Sequence, residues 1–311
     1  HYSANPIDTG QNSPWSIMHA MISFGVDSQV SRGGPNGPKV NAISWMCGNG
    51  VCRNRKLFKI RDGQLYPRTG PSYQGHDGQF LALLAQCRVM IDYPILCEDQ
   101  SFTVADLVEI EKLECEPNSE LTFHLISLVH YLGTEAKWQD KKQREWTIAM
   151  ILQQEMAQPI IGATCGGTHR LMALNYALGK RRKEDLPIVE QWAKAQSFVD
   201  RYQRKAWKWQ NRDGSFSTSW FRGSGNNPEI ERKLKTTGHV LEWLVFSASD
   251  EELRHPKMIR SVRYLTDLMI RNRYFDWENG PQAHALRALT VYDQRVFGKR
   301  ADREDLQLSQ R

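Results

Sequence analysis

Gly75-His76-Asp77-Gly78 sets an imidazole beside a carboxylate, the pair a general base and its orienting partner require, and also two metal-donor types. An Asp at such a place is equally an ordinary helix cap. Cys165-Gly166-Gly167-Thr168-His169 puts a thiol and an imidazole on either side of a flexible turn. With further ligands from Asp77 or His239 the set resembles a zinc site, and a thiol next to a histidine is also a nucleophile's arrangement. The expected catalytic set is His76, Asp77, His169 and His239, and the metal candidates are Cys165, His169, His239 and Asp77. Zinc is the one cofactor the residue types suggest, and no organic cofactor is expected. Cys47 and Cys52 flank a Gly-rich turn, which suits a local disulfide in an exported protein and a pair of inert thiols otherwise. Asp62, Asp213 and Glu278 precede helical segments; two carboxylates across a cavity could perform glycosidase-type chemistry, but Asp-Gly is also a common turn.

The elements that must position these groups announce themselves by repetition. His19, Gln79, His124, His169, His239 and His284 each have an apolar residue two and five positions later, and Gln79, His124 and His169 follow one another at intervals of 45 residues. A fixed period of this size marks a repeat architecture. On a helix the two apolar positions point almost opposite the His, so helices packed through their Leu and Met faces would turn the His side inward. The expected starts of six inner helices lie near residues 14, 77, 119, 167, 237 and 281. Each repeat His is expected either to serve as a polar peg on a neighbouring helix's backbone or to carry function. His19, His124 and His284 are assigned to the pegs.

Outer helices are expected over 103–114, 141–156, 184–210 and 256–271. Ser13-Pro14 and Pro256 are helix-start signals. Residues 26–75 carry Gly-Pro turn chemistry and are expected to form a long irregular loop over one mouth of the ring. Residues 1–12 read as an arm, 13–295 as one domain and 296–311 as a charged tail.

Bulk properties bound the rest. A hydrophobic fraction of 40 % and ten Trp supply a large core. No uninterrupted apolar run approaches the length of a membrane span. The net charge of +6 favours anionic partners, yet the basic residues are scattered apart from Lys180-Arg181-Arg182-Lys183, and no nucleic-acid motif is present. The chain begins at His1, which favours export or a periplasmic location over the cytosol as an expectation. Oligomeric state is left open.

Gln196-Ser197-Phe198-Val199 followed by Gln210-Asn211-Arg212-Asp213-Gly214-Ser215-Phe216 resembles a stretched QW motif of the terpene cyclase and protein prenyltransferase superfamily. Ser261 to Leu265 with Trp277-Glu278-Asn279-Gly280-Pro281 is similar to a second copy, and Arg61-Asp62-Gly63-Gln64-Leu65 to an incomplete third. The resemblance implies an all-α, α/α toroid, with about six inner helices around a cavity and outer helices between them. It also implies that Gln210 and Phe216 tie a loop to neighbouring helices. The chain departs from the family in having no Asp-Asp dipeptide and no alignable zinc motif, and fold does not carry function across such a superfamily. Three functions follow as expectations. The first is an enzyme acting on an anionic or carbohydrate-like substrate at the cavity mouth through His/Asp acid–base residues. The second is a zinc-dependent transferase or cyclase using Cys165. The third is a non-catalytic binding or scaffold subunit.

Overall fold

Ser13 caps helix α1 (Pro14–Phe24) with Pro14 in its first turn, and the same logic of a polar cap before an apolar-faced run recurs along the chain. The computed structural model describes residues 1–298. They form twelve helices: α1, α2 (Ala42–Cys47), α3 (Gln79–Gln86), α4 (Val104–Glu114), α5 (Thr122–Leu132), α6 (Ile148–Ala157), α7 (Thr168–Lys183), α8 (Glu190–Lys208), α9 (Ile230–Ser247), α10 (Asp250–Leu253), α11 (Pro256–Arg271) and α12 (Asn279–Val296). All six repeat residues fall on helices: α1, α3, α5, α7, α9 and α12. The protein is mostly helical, though not purely so.

Four two-stranded antiparallel hairpins interrupt the helices: β1 (Gln29–Ser31) with β2 (Lys39–Asn41), β3 (Phe58–Arg61) with β4 (Gln64–Pro67), β5 (Pro94–Cys97) with β6 (Gln100–Thr103), and β7 (Lys137–Gln139) with β8 (Glu145–Thr147). Asn41, Thr103 and Thr147 each end a strand and cap the helix that follows, so hairpin and helix form one unit. Residues 26–75 are therefore not an irregular loop. They hold β1, β2, α2, β3 and β4, with Asp62 and Gly63 both at positive φ in the tight β3–β4 turn. Trp146 pairs with Trp138 across β7 and β8 and does not belong to an outer helix, which begins only at Ile148. At the turn of that hairpin Asp140, fully buried, accepts from Trp146 Nε1 at 2.9 Å, Arg144 Nε at 2.6 Å and Lys142 N at 2.8 Å.

Residues 1–12 are not a loose arm. Thr9 N donates to Ser31 O and Ser31 N to Ile7 O, and Asp8 and Thr9 are buried. The expected tail beyond Val296 lies largely outside the described residues.

The chain divides into two compact units, the first comprising His1–Pro159 with His169–Asp200, the second Ile160–Thr168 with the chain from Arg201 onward. In the first, α1 packs on α2 and α3, α3 on α5, and α4 and α6 on α5. In the second, α9 packs on α12 and α11. Met21, Leu81, Ile126, Leu171 and Leu241 are all at most 1 % exposed, as their spacing demands. Leu286 departs from the rule and is half-buried. In α12 the small residues Ala283, Ala285 and Ala288 make the buried face instead. Gly238 of α9 lies so close to Ala285 that an added Cβ would meet it at 3.1 Å, so the two helices approach through small residues.

Candidate active site

In the first unit three repeat-helix N-termini bring chemistry together. His76 lies in the loop before α3, Glu120 just before α5, and His169 in the first turn of α7. His76 Nδ1 is 2.7 Å from Glu120 Oε2, with the imidazole only 16 % exposed. Since the carboxylate accepts, Nδ1 donates, and Nε2 is the ring nitrogen not turned to Glu120. The His169 ring stands 6.1 Å from that of His76 at 89°, and Phe123 flanks both, at 5.0 and 5.5 Å. Burial pushes the Glu120 carboxyl up, but the His76 hydrogen bond and charge outweigh it and hold the pKa below the usual range. Asp77 is exposed and accepts from Thr69 Oγ1 at 2.8 Å, so it stands on the rim of this group.

Beneath them is a second layer of charge. His124 Nε2 lies 2.9 Å from Glu111 Oε2, both nearly inaccessible. Burial opposes charge on His124, yet Glu111 beside it raises its pKa above the ordinary value. Gly78 makes room for this pair: it has φ +73°, and an added Cβ would fall 2.6 Å from Glu111 Oε2. Glu155, also fully buried, accepts from Leu121 N at 2.9 Å and from Thr122 Oγ1 at 2.5 Å, satisfying the start of α5. It also accepts from Arg170 Nε at 3.0 Å, while Arg170 Nη1 donates to Pro159 O. Thus Glu111 of α4 and Glu155 of α6 play parallel parts, each reaching from an outer helix to the head of α5.

His19 and His239 each donate from Nδ1 to a carbonyl four residues earlier in their own helix, Trp15 O and Lys235 O, both at 2.7 Å. His124 and His284 face buried carboxylates instead, His284 Nδ1 lying 2.7 Å from Glu242 Oε2. His169 is half-buried.

His239 belongs to the second unit. Its ring lies 4.0 Å from that of His284, and Trp220 approaches it edge-on at 5.9 Å. Cys165 is in the same unit, and its Sγ lies within 4.8 Å of a ring nitrogen of His239. A cleft of about 310 Å³ is lined by Gly162, Gly166, Trp220, Phe221, Arg222 and Arg232 among others, so it reaches the residue after Cys165 and the ring that approaches His239. A neighbouring cleft of about 270 Å³ is lined by Glu229, Glu231, Trp277 and Glu278. Asp213 accepts from Ser215 and Lys233, a turn role, and Asp62 is exposed in the β3–β4 turn. Gln210 Nε2 donates to Lys257 O at 2.8 Å and Ser261 Oγ at 2.7 Å, fastening its loop to α11, and Phe216 is buried against Trp207.

No disulfide joins Cys47 and Cys52. Burial pushes their thiols up to about 12 and about 11, as expected of inert core groups.

Glu120, Glu111, Glu155 and Arg170 did not stand out by motif. Glu111 and Glu155 do carry a signal, since each sits on the apolar face of its helix, four residues after Leu107 and Ile151 respectively. A carboxylate in that stripe must find a buried partner. Compared with protein-family models, curated proteins and solved structures, the chain has no match.

Proposed function

We propose that the protein is an acid–base enzyme for an anionic, carbohydrate-like substrate, with His76 as the base that Glu120 orients and His169 as the proton donor to the leaving group. The observation that carries this is the His76–Glu120 contact at 2.7 Å with a second imidazole 6.1 Å away. A base held by a carboxylate through Nδ1 offers Nε2 in a fixed direction, and a second imidazole in edge contact with it places a proton donor at the same group. Preference for an anion rests on the N-terminal ends of α3, α5 and α7 at this group and on the net charge of +6. A uronate suits both features, since removal of the proton next to its carboxylate and protonation of the departing oxygen need one base and one acid. The order of packing within each unit, α1 to α3 to α5 and α9 to α12, supports an α/α toroid as the framework.

The test is turnover of uronate polymers and sugar phosphates by the full chain and by His76→Gln, Glu120→Gln and His169→Gln. Loss of turnover in His76→Gln and His169→Gln with melting within a few degrees of the parent supports the assignment. Turnover persisting in His76→Gln overturns it, and saturable binding without turnover in the parent chain points to a non-catalytic binding subunit.

A further inference from the structure

Cys165 differs from every other cysteine of the chain. The other five are buried, whereas Cys165 is half-buried. Its backbone is also unusual: Cys165, Gly166 and Gly167 have φ of 50°, 66° and 79° in succession. Left-handed backbone at a non-glycine residue is strained and persists only where surroundings enforce it. Trp220 is also at positive φ, 55°, and its ring packs on Gly166, where an added Cβ would fall 2.2 Å from it. The turn thus holds the thiol beside His239. The His239 Nδ1–H is committed to Lys235 O, so in the neutral ring Nε2 is the nitrogen able to take a proton. His284 stacks on His239 and is itself fixed by Glu242.

We propose that Cys165 and His239 are a nucleophilic thiol–imidazole pair that hydrolyses acyl esters carrying a negative charge. The cleft lined by Gly166, the residue after Cys165, and by Trp220 supplies the recognition. Arg222 and Arg232 line it, and Arg232 is held by two hydrogen bonds to Thr218 O, at 3.0 and 2.7 Å, with its guanidinium 5.8 Å from the Trp220 ring centre. In the first half-reaction the Cys165 proton passes to His239 Nε2 as sulfur bonds to the acyl carbon. The carbonyl pair moves onto oxygen and returns as the bond to the alcohol oxygen breaks, and the alcohol leaves with the proton from Nε2. Water then adds to the thioester, the carbon–sulfur bond breaks, and the proton returns to sulfur, giving acid and free enzyme.

The experiment mixes the full chain with the mono-p-nitrophenyl ester of succinate, and with p-nitrophenyl acetate for comparison, then maps the acyl group by mass spectrometry. Expected are release of one equivalent of nitrophenol in a burst, a thioester on Cys165, and acylation about 10²-fold slower in His239→Gln. Arg222→Gln slows the succinate ester more than the acetate. Mapping on the parent chain needs no variant, and the melting temperature of His239→Gln separates misfolding from lost chemistry. An adduct on another residue, or parental acylation in a folded His239→Gln, overturns the proposal.

Discussion

His76 Nδ1 meets Glu120 Oε2 at 2.7 Å across 44 residues of sequence, joining the loop before α3 to the loop before α5. The carboxylate is the group to watch. Its pKa is depressed because the hydrogen bond and charge from His76 outweigh the burial that pushes it up. Replacing His76 by Gln therefore raises the Glu120 pKa, as read from its side-chain carboxyl chemical shift against pH. A group depressed in the folded state contributes stability above the ordinary carboxylate range and loses it as pH falls through the folded value. The acid limb of the stability curve should accordingly flatten in His76→Gln. An unchanged Glu120 titration would show that the contact carries no electrostatic coupling.

The neighbouring pair, His124 and Glu111, has the opposite sign. Burial disfavours the imidazolium, but Glu111 wins and the His124 pKa is raised above 6.5. Its stabilisation is fully present below that ordinary value and is lost as pH rises through the raised folded value. Urea denaturation should show this alkaline loss in the parent chain and not in His124→Leu. That variant should also lose about 3–5 kcal/mol, because Glu111 is left buried without its partner. Adding Glu111→Gln should recover part of the loss. A single variant with parental stability would mean that water reaches Glu111.

Most of the long helices could be read from the sequence because their signals are local, although α9 begins at Ile230 and not near the expected 237. The His-x-apolar spacing, Ser13-Pro14 and Pro256 each act within one or two turns, and α11 begins at Pro256 and ends at Arg271, where the sequence places them. The hairpins could not, since strands of three or four residues such as Lys137–Gln139 are too short to display alternation. Half of the candidate site was equally hidden. His76 and Asp77 advertise themselves by adjacency, whereas Glu120 acquires meaning only through a partner 44 residues away. Leu286 fails for a related reason: spacing fixes its face on α12, but the close approach of Gly238 to Ala285 decides what that face packs against.

Core truncations test the same point quantitatively. Leu171 and Leu241 are both 0 % exposed, so Leu171→Ala and Leu241→Ala should each cost about 2–5 kcal/mol in equilibrium unfolding. Leu286 occupies the same repeat position but is half-buried, and Leu286→Ala should cost clearly less than either. Equal losses at the three sites would mean that the repeat position, and not the local packing, governs burial.

Asp140 offers the sharpest test of a hairpin that sequence spacing does not reveal. Its carboxylate collects Trp146 Nε1, Arg144 Nε and the backbone amides of Lys142 and Arg144, all of them donors. Burial opposes the charge, yet these hydrogen bonds, Trp146 foremost, hold the pKa far below the usual carboxylate range. Asp140→Asn keeps the shape but turns an NH2 group toward donors, leaving at least one of them without an acceptor. The variant should unfold at lower urea concentration than the parent. Its deficit should be largest near neutral pH and shrink as pH falls through the folded Asp140 value, where the parent carboxylate gains its own proton. A deficit that stays constant down to strong acid would assign the loss to packing around Trp146 and not to the charge of Asp140.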